Sequence, residues 1–448
     1  MNIKSVLEDS PAVVVGGGYI SLHGRLAILH CGWKERIIAP VIAYSRMGGT
    51  TLSDRDFVVS KYILTELECD EKKIDIEFFE DGLFVYGTLL PRYITPEGTI
   101  HSEWGGLSNY PWVRTLVSGF ELIYNGLPYA VQSKHKNVVG ATYIGIPKPL
   151  ESRIDDIELG AGYKKIETEG FILENYPIIP RLRIRMYMHH RVSGMSLPTM
   201  LYGELFVSKG EMFWFQRKGY FDVLEGNHGL LITAPHGGYL RPLDMKEKSE
   251  SIADENTYDL ARMIGEKIYE LSAKNIVPNI LLARIHRSII DLNRHYYLSN
   301  PIAQEYHMEI RKIARKYRKV LLIDIHGMAE REGRNIEIGT IYGKTVHGDM
   351  EIPESIRKTL IGHGFKVAID RELIGGFTVS EHGKNQNVYA VQIEVDRNNR
   401  KRKNLEKTAM AIAKSILYVY NQISNTAPIE ESNREHLGRI EKVVDLEI

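Results

Sequence analysis

Cysteine is nearly absent: only Cys31 and Cys69 stand in 448 residues. Two are too few for a disulfide framework or for a structural zinc site built on thiolates. Excess charge is absent as well, since 57 lysines and arginines balance 57 aspartates and glutamates. A chain with no global field has no long-range pull on polyanions, so neither nucleic acid nor a membrane is an expected partner. The one dense basic run, Arg397 to Lys403, precedes a helical pattern and reads as a solvated helix start. Near the N-terminus the longest apolar run, Ala12 to Val15, stops at Gly16-Gly17-Gly18. No segment has the pattern of a signal peptide, and no apolar stretch is long enough to span a bilayer. The expected compartment is therefore the cytoplasm. Internal repeats and low-complexity segments are also lacking.

What is present is the composition of a globular protein, 43% hydrophobic and 25% charged. The length exceeds one ordinary core and implies two domains. The first, residues 1–222, reads as strand-rich and has no assignable role. Runs such as Arg36 to Ala43, Ile74 to Tyr86, Thr115 to Tyr124, Val138 to Ile146 and Arg181 to Tyr187 are broken by glycine, proline and asparagine. Asn125-Gly126 has the chemistry of a tight turn.

The second, residues 223–448, alternates. Strands are expected at 229–234, 280–285, 320–325, 336–342, 365–369 and 388–395. Helices are expected at 254–273, with Leu260, Ile264, Ile268 and Leu271 on one side, and at 302–317, 354–362 and 404–422. That order implies an α/β fold, a mostly parallel sheet flanked by helices, with ligands bound at the carboxyl ends of its strands. The charged tail after Asn425 reads as loosely ordered or as a short last helix.

Polar residues gather at those strand ends. His236 lies in Pro235-His236-Gly237-Gly238, where glycines allow close approach of a ligand. Asp324 and His326 are two apart, so they share one face of a buried strand. There Asp324 can fix the tautomer of a ligand histidine, orient it, or bind metal itself. Arg287, Asn293 and Arg294 sit in one loop that suits recognition of a carboxylate or polarisation of a carbonyl. Glu394, with Gln392 and Asp396 on the same face, is placed as a general base. Asp254 opens a helix, as its cap or as a metal ligand. Together these are the parts of a mononuclear hydrolytic zinc site.

The motifs occur in a fixed order: PHGG with Pro242 beyond, D..T..LA from Asp254 to Ala261, R..IDLNR from Arg287 to Arg294, D.HG from Asp324 to Gly327. IGT at Ile338 to Thr340, Gly375-Gly376 and QIE.DR from Gln392 to Arg397 follow. From about Gly229 to Ile423 the chain resembles the N-formylglutamate amidohydrolase family, whose fold is shared with zinc carboxypeptidases and aspartoacylases. The resemblance implies one zinc ion per chain on His236, His326 and an acid, for which Asp254 is the match and Glu255 the reserve. Tyr239 stands where carboxypeptidases place a glutamate ligand, and His382 is a further substitute. The resemblance also implies Glu394 as base and proton shuttle, Arg287 at the oxyanion, and Asn293 and Arg294 on a substrate carboxylate. The expected substrate is a small N-acyl (N-formyl-like) amino acid. A carboxypeptidase-like or aminoacyl-ester hydrolase is the second reading, and a non-catalytic metal-binding or assembly protein with a relic site the third. Homo-oligomer formation stays open.

Overall fold

The computed structural model describes residues 3–32, 36–43, 57–87, 89–90, 93–94, 100–101, 107–196, 205–208 and 211–424. The tail after Asn425 lies outside them. Two compact units divide the chain, Met1–Trp214 with Leu240–Met245, and Phe215–Tyr239 with Lys246–Ile448.

The first unit is strand-rich. One sheet has five strands and another has six. The longest hairpin joins Trp112–Asn125 to Leu127–Tyr143. Asn125 faces Leu127 across a turn in which Gly126 takes φ +76°, a left-handed conformation that favours glycine. Val117, Leu182, Ile184 and Met186 are fully buried in its core. The two cysteines do not form a framework, yet both are used. Cys31 and Cys69 form one disulfide with Cα atoms 6.3 Å apart. It ties the end of strand Leu26–His30 to the end of helix Lys61–Leu67.

In the second unit the elements are β1 (Phe221–Leu224), β2 (Leu230–Ala234), α1 (Thr257–Leu271), β3 (Asn279–Ala283), α2 (Pro301–Lys316), β4 (Val320–Met328), β5 (Ile336–Gly339), α3 (Glu351–Gly362), β6 (Val367–Ile369), α4 (Phe377–His382), β7 (Val388–Asp396), α5 (Arg397–Arg400) and α6 (Arg402–Ser424). Within a nine-stranded sheet these seven strands stand in the order β1-β3-β2-β4-β7-β5-β6. The sheet is mixed. Its centre, β3-β2-β4-β7, is parallel, whereas β1 runs antiparallel to β3 and β5 antiparallel to β7. The central strands read as continuous apolar runs because both faces are covered, and Val320 to Ile325 is buried throughout.

Helix α1 buries Leu260, Ile264 and Ile268 and packs on β2, β3 and α6. Leu271, expected on that stripe, is exposed at the helix end. β5 stops at Gly339, short of the expected Tyr342. Asp370 accepts hydrogen bonds from the N–H groups of Thr340 and Tyr342, and Ile341 and Tyr342 turn left-handed, with φ of 51° and 55°.

The chain leaves β2 for β3 on one side, then crosses to β4 on the other. Such a switch opens a crevice at the carboxyl ends of the strands. His236 follows the end of β2, and His326 lies near the end of β4.

Candidate metal centre

Strand pairing builds the site. Asp324 of β4 pairs with Gln392 of β7, and His326 pairs with Glu394. Side chains alternate along a strand, so these four share one face. Asp324 is fully buried, with both oxygens in use: Thr233 donates to Oδ1 at 2.5 Å, and Oδ2 lies 2.8 Å from His326 Nε2. On the neighbouring loop His236 Nε2 lies 2.7 Å from Asp291 Oδ1. Each imidazole thus gives its Nε2–H to a carboxylate and turns its Nδ1 the other way, the outer arrangement that fixes the tautomer of a metal-binding histidine.

Asp254 meets both Nδ1 atoms. Its Oδ2 is 3.4 Å from His236 Nδ1 and 3.4 Å from His326 Nδ1. Ligand atoms of His236, Asp254 and His326 all lie within 4.8 Å of one another, and all three residues are buried. His236 Nδ1 is buried with no hydrogen-bond partner. A buried lone pair with no partner, facing a carboxylate oxygen and a second imidazole nitrogen, is costly unless something binds it. Two neutral imidazoles and one carboxylate are a donor set suited to zinc, so the residues present fit the implied metal.

The backbone holds Asp254 in place. Its N–H donates to the His236 carbonyl at 3.0 Å, Gly327 N–H donates to Oδ2 at 3.0 Å, and Arg287 Nη1 donates to Oδ1 at 2.8 Å. The side chain therefore does not cap α1. That N-cap position belongs to Asn256, at φ 62°, without a side-chain cap bond. Burial alone would raise the Asp254 carboxyl. The two imidazoles and Arg287 outweigh it and hold Asp254 well below the usual carboxylate range. Burial likewise would lower His326, but Asp324 and Asp254 hold it well above the ordinary histidine value.

The other expected residues fall as follows. Glu394 is buried, and loss of hydration raises its carboxyl above the usual range. Gln392 Nε2 donates to its Oε1 at 2.8 Å. Arg287 is engaged with Asp254 and lies 3.6 Å from Asp291, with its Nε–H buried and unpartnered. Asn293 is buried, with Nδ2 3.3 Å from His326 Nε2, whereas Arg294 is largely exposed beside Asp291. Glu255 is bound by Arg397 through two contacts of 2.8 and 2.9 Å, which takes it out of the ligand group. The Tyr239 hydroxyl accepts from Asn256 N–H. His382 lies outside the ligand group, stacked on His307, and burial lowers it to about 3.

Two features had no separate reading in the sequence. Asp291, within the R..IDLNR motif, lies against His236 and orients it. The basic run Arg397–Lys403 is not simply a solvated helix start. Arg400 is buried and donates to the carbonyls of Val395, Met328 and Glu255, gathering the ends of β4, β7 and the Asp254 loop. A Cβ on Gly327 would lie 2.4 Å from the Arg400 guanidinium carbon, which is why glycine follows His326. The partners of Asp291 give a test. Asp291→Asn should weaken zinc affinity by about 10–100-fold, read by competition with a chelator. An unchanged affinity would remove Asp291 from the site.

A separate recess lies in the first unit, lined by Tyr86, Gly87, Pro128, Glu158, Tyr163 and Tyr187 among others, where burial raises the Glu158 carboxyl. No residue of it was singled out in the sequence.

The family model for N-formylglutamate amidohydrolase matches residues 299–399. The match lies within the second unit. The matched segment contains Asp324, His326, Gly375-Gly376 and Gln392 to Arg397, and the family is one of hydrolases of C–N bonds. His236, Asp254, Arg287 and Asn293 lie upstream of it and are joined to it by the geometry described above. Similar solved structures include N-formylglutamate amidohydrolase from Ralstonia eutropha JMP134, at 13% identity and TM-score 0.39, over 46% of this chain and 99% of that one. A bacteriophage poly-gamma-glutamate hydrolase is 12% identical at TM-score 0.28, over 47% and 93%. An aig2-like protein from Mus musculus is 18% identical at TM-score 0.19, over 25% and 78%. No curated protein matches the sequence. Among the described residues no helix is long and apolar enough to cross a membrane.

Proposed function

We propose that the second unit is a zinc-dependent amidohydrolase that cleaves an N-acyl, N-formyl-like amino acid into a carboxylic acid and a free amine. The observation that carries the reading is the convergence of His236, Asp254 and His326 on one buried point, with Glu394 beside His326 in the strand register. Zinc, when bound by those three residues, supplies a Lewis acid that acidifies water and draws charge onto an amide oxygen.

The chain's own residues do the rest. Glu394 takes a proton from the attacking water as the C–O bond forms and the carbonyl electrons move onto oxygen, then passes it to the leaving nitrogen as the C–N bond breaks. A carboxyl raised by burial holds that proton better than an exposed glutamate would. Arg287 keeps Asp254 ionised and is the group assigned to the oxyanion. Asn293 and the exposed Arg294 receive the substrate carboxylate, which contributes orientation.

The test compares N-formyl and N-acetyl amino acids with short peptides, using protein loaded with zinc and protein stripped by chelator. Turnover of the acylated amino acids by the zinc form alone is expected. Faster cleavage of peptides would favour a carboxypeptidase-like enzyme, and stoichiometric zinc without turnover of any substrate would favour a relic site.

A further inference from the structure

We propose that the turn from Gly375 to Thr378 is a positioning element that aims two side-chain amides, those of Gln392 and Asn293, at the candidate site. The inference rests on the hydrolytic reading for its consequence and on geometry for its content.

Both amide oxygens are pinned by this one turn. Gly376 N–H donates to Gln392 Oε1 at 2.7 Å. Thr378 donates twice to Asn293 Oδ1, from its N–H at 2.7 Å and its hydroxyl at 2.9 Å. A flipped amide would set its NH2 group against a backbone donor, so each amide has one workable orientation. With the oxygens held, the nitrogens have fixed neighbours in the site: Gln392 Nε2 donates to Glu394 Oε1, and Asn293 Nδ2 lies against the Nε2 side of His326. Gln392 is buried, as are Asn293 and Thr378.

The double glycine follows from the same geometry. Gly375 has φ +124°, a conformation essentially closed to other residues. A Cβ on Gly376 would fall 2.2 Å from Asn293 Nδ2 and 2.9 Å from its Cγ. Any side chain there would push the Asn293 amide out of place. The turn is itself seated tightly: a Cβ on Gly339, at the end of β5, would lie 2.6 Å from Gly375 N.

Gln392 thus holds one oxygen of Glu394 and leaves the other to handle the proton. Asn293 spends its oxygen on Thr378 and keeps its N–H groups for a substrate carboxylate. One turn sets the aim of both, although the chain reaches it some 80 residues after Asn293.

Thr378→Val, Thr378→Ser, Gly376→Ala and Gln392→Met test this, each as full-length zinc-loaded protein with N-formyl-L-glutamate as probe. Gln392→Met should lower kcat about tenfold with little change in KM, the size of one lost hydrogen bond to a charged group. Thr378→Val should instead raise KM severalfold, and Thr378→Ser should restore it. Gly376→Ala should lower kcat/KM by about a hundredfold, as expected for a misplaced polar group. Zinc content and Tm should stay at wild-type values in the Thr378 and Gln392 variants, which separates aim from folding. Crystal structures supply the readout that needs no turnover. Asn293 should be rotated or shifted in Gly376→Ala, and the Glu394 carboxylate in Gln392→Met. If the wild type is inactive, the hydrolytic reading fails and the crystal structures alone decide. Amides and carboxylate unmoved in these variants, or equal kcat and KM in an active enzyme, would overturn the proposal.

Discussion

Glu394→Gln is expected to abolish most hydrolysis while leaving zinc in place. A general base contributes about 10²–10⁴-fold, so kcat should fall within that range and KM should change little. The exchange is nearly isosteric, and its oxygen can still accept from Gln392, so the local hydrogen bond of 2.8 Å survives. Stability should not suffer. The carboxyl is buried, and loss of hydration already raises it, which means that its charged form carries a cost the neutral amide does not. Zinc content by metal analysis and Tm should match wild type. Full activity in this variant would show that another group moves the proton, and loss of zinc with loss of activity would make Glu394 a support of the metal site.

Much of the second unit was legible because its strands are buried on both faces. Val320 to Ile325 and Val388 to Val395 read as strands from their apolar runs, and both are central in the sheet. The helices followed from apolar periodicity, which α1 and α6 keep against one another. Strand direction was another matter. Alternation of strands and helices suggests parallel pairing, but β1 reaches β3 by antiparallel pairing, and β5 enters beside β7 from the opposite direction. Nothing in the apolar pattern of Ile336 to Gly339 distinguishes those orientations, because a buried strand looks the same in both.

The histidines were legible for a local reason: polar residues at the ends of buried strands are expensive without partners. Asp324 sits two residues from His326, so their contact could be argued from strand geometry alone. Asp291 and Arg400 act at long range instead. Asp291 reaches His236 across 55 residues, and Arg400 reaches the Glu255 carbonyl across 145. Arg400 lies in a run of charges that looks solvated, and only the fold folds that run back over Gly327. The disulfide belongs to the same class. Two cysteines separated by 38 residues carry no sign of pairing until the strand and helix that bear them are placed.

Asp254→Asn should cost the metal, and Glu255→Gln should not. The two acids are adjacent in sequence but opposed in use. Asp254 faces both Nδ1 atoms, whereas Glu255 is bound by the Arg397 guanidinium. Removing the Asp254 charge leaves two neutral imidazoles for a divalent ion and leaves Arg287 beside a neutral group. Zinc affinity should fall by at least about 100-fold, beyond the usual effect of an outer partner, and hydrolysis should disappear with it. Glu255→Gln should keep full zinc and lose at most a little stability, since Arg397 is partly exposed.

Zinc binding by the metal-free protein should depend on pH. His326 is held well above its usual value by Asp324 and Asp254, so a proton occupies the site that zinc needs. Below that raised value the proton competes with zinc, and above it the competition ends, so affinity should strengthen as pH rises through it. Calorimetric titration in buffers of different ionisation enthalpy should record proton release on zinc binding, and Asp254→Asn should reduce it. Equal zinc affinity in Asp254→Asn and wild type, or a loss confined to Glu255→Gln, would move the third ligand away from Asp254.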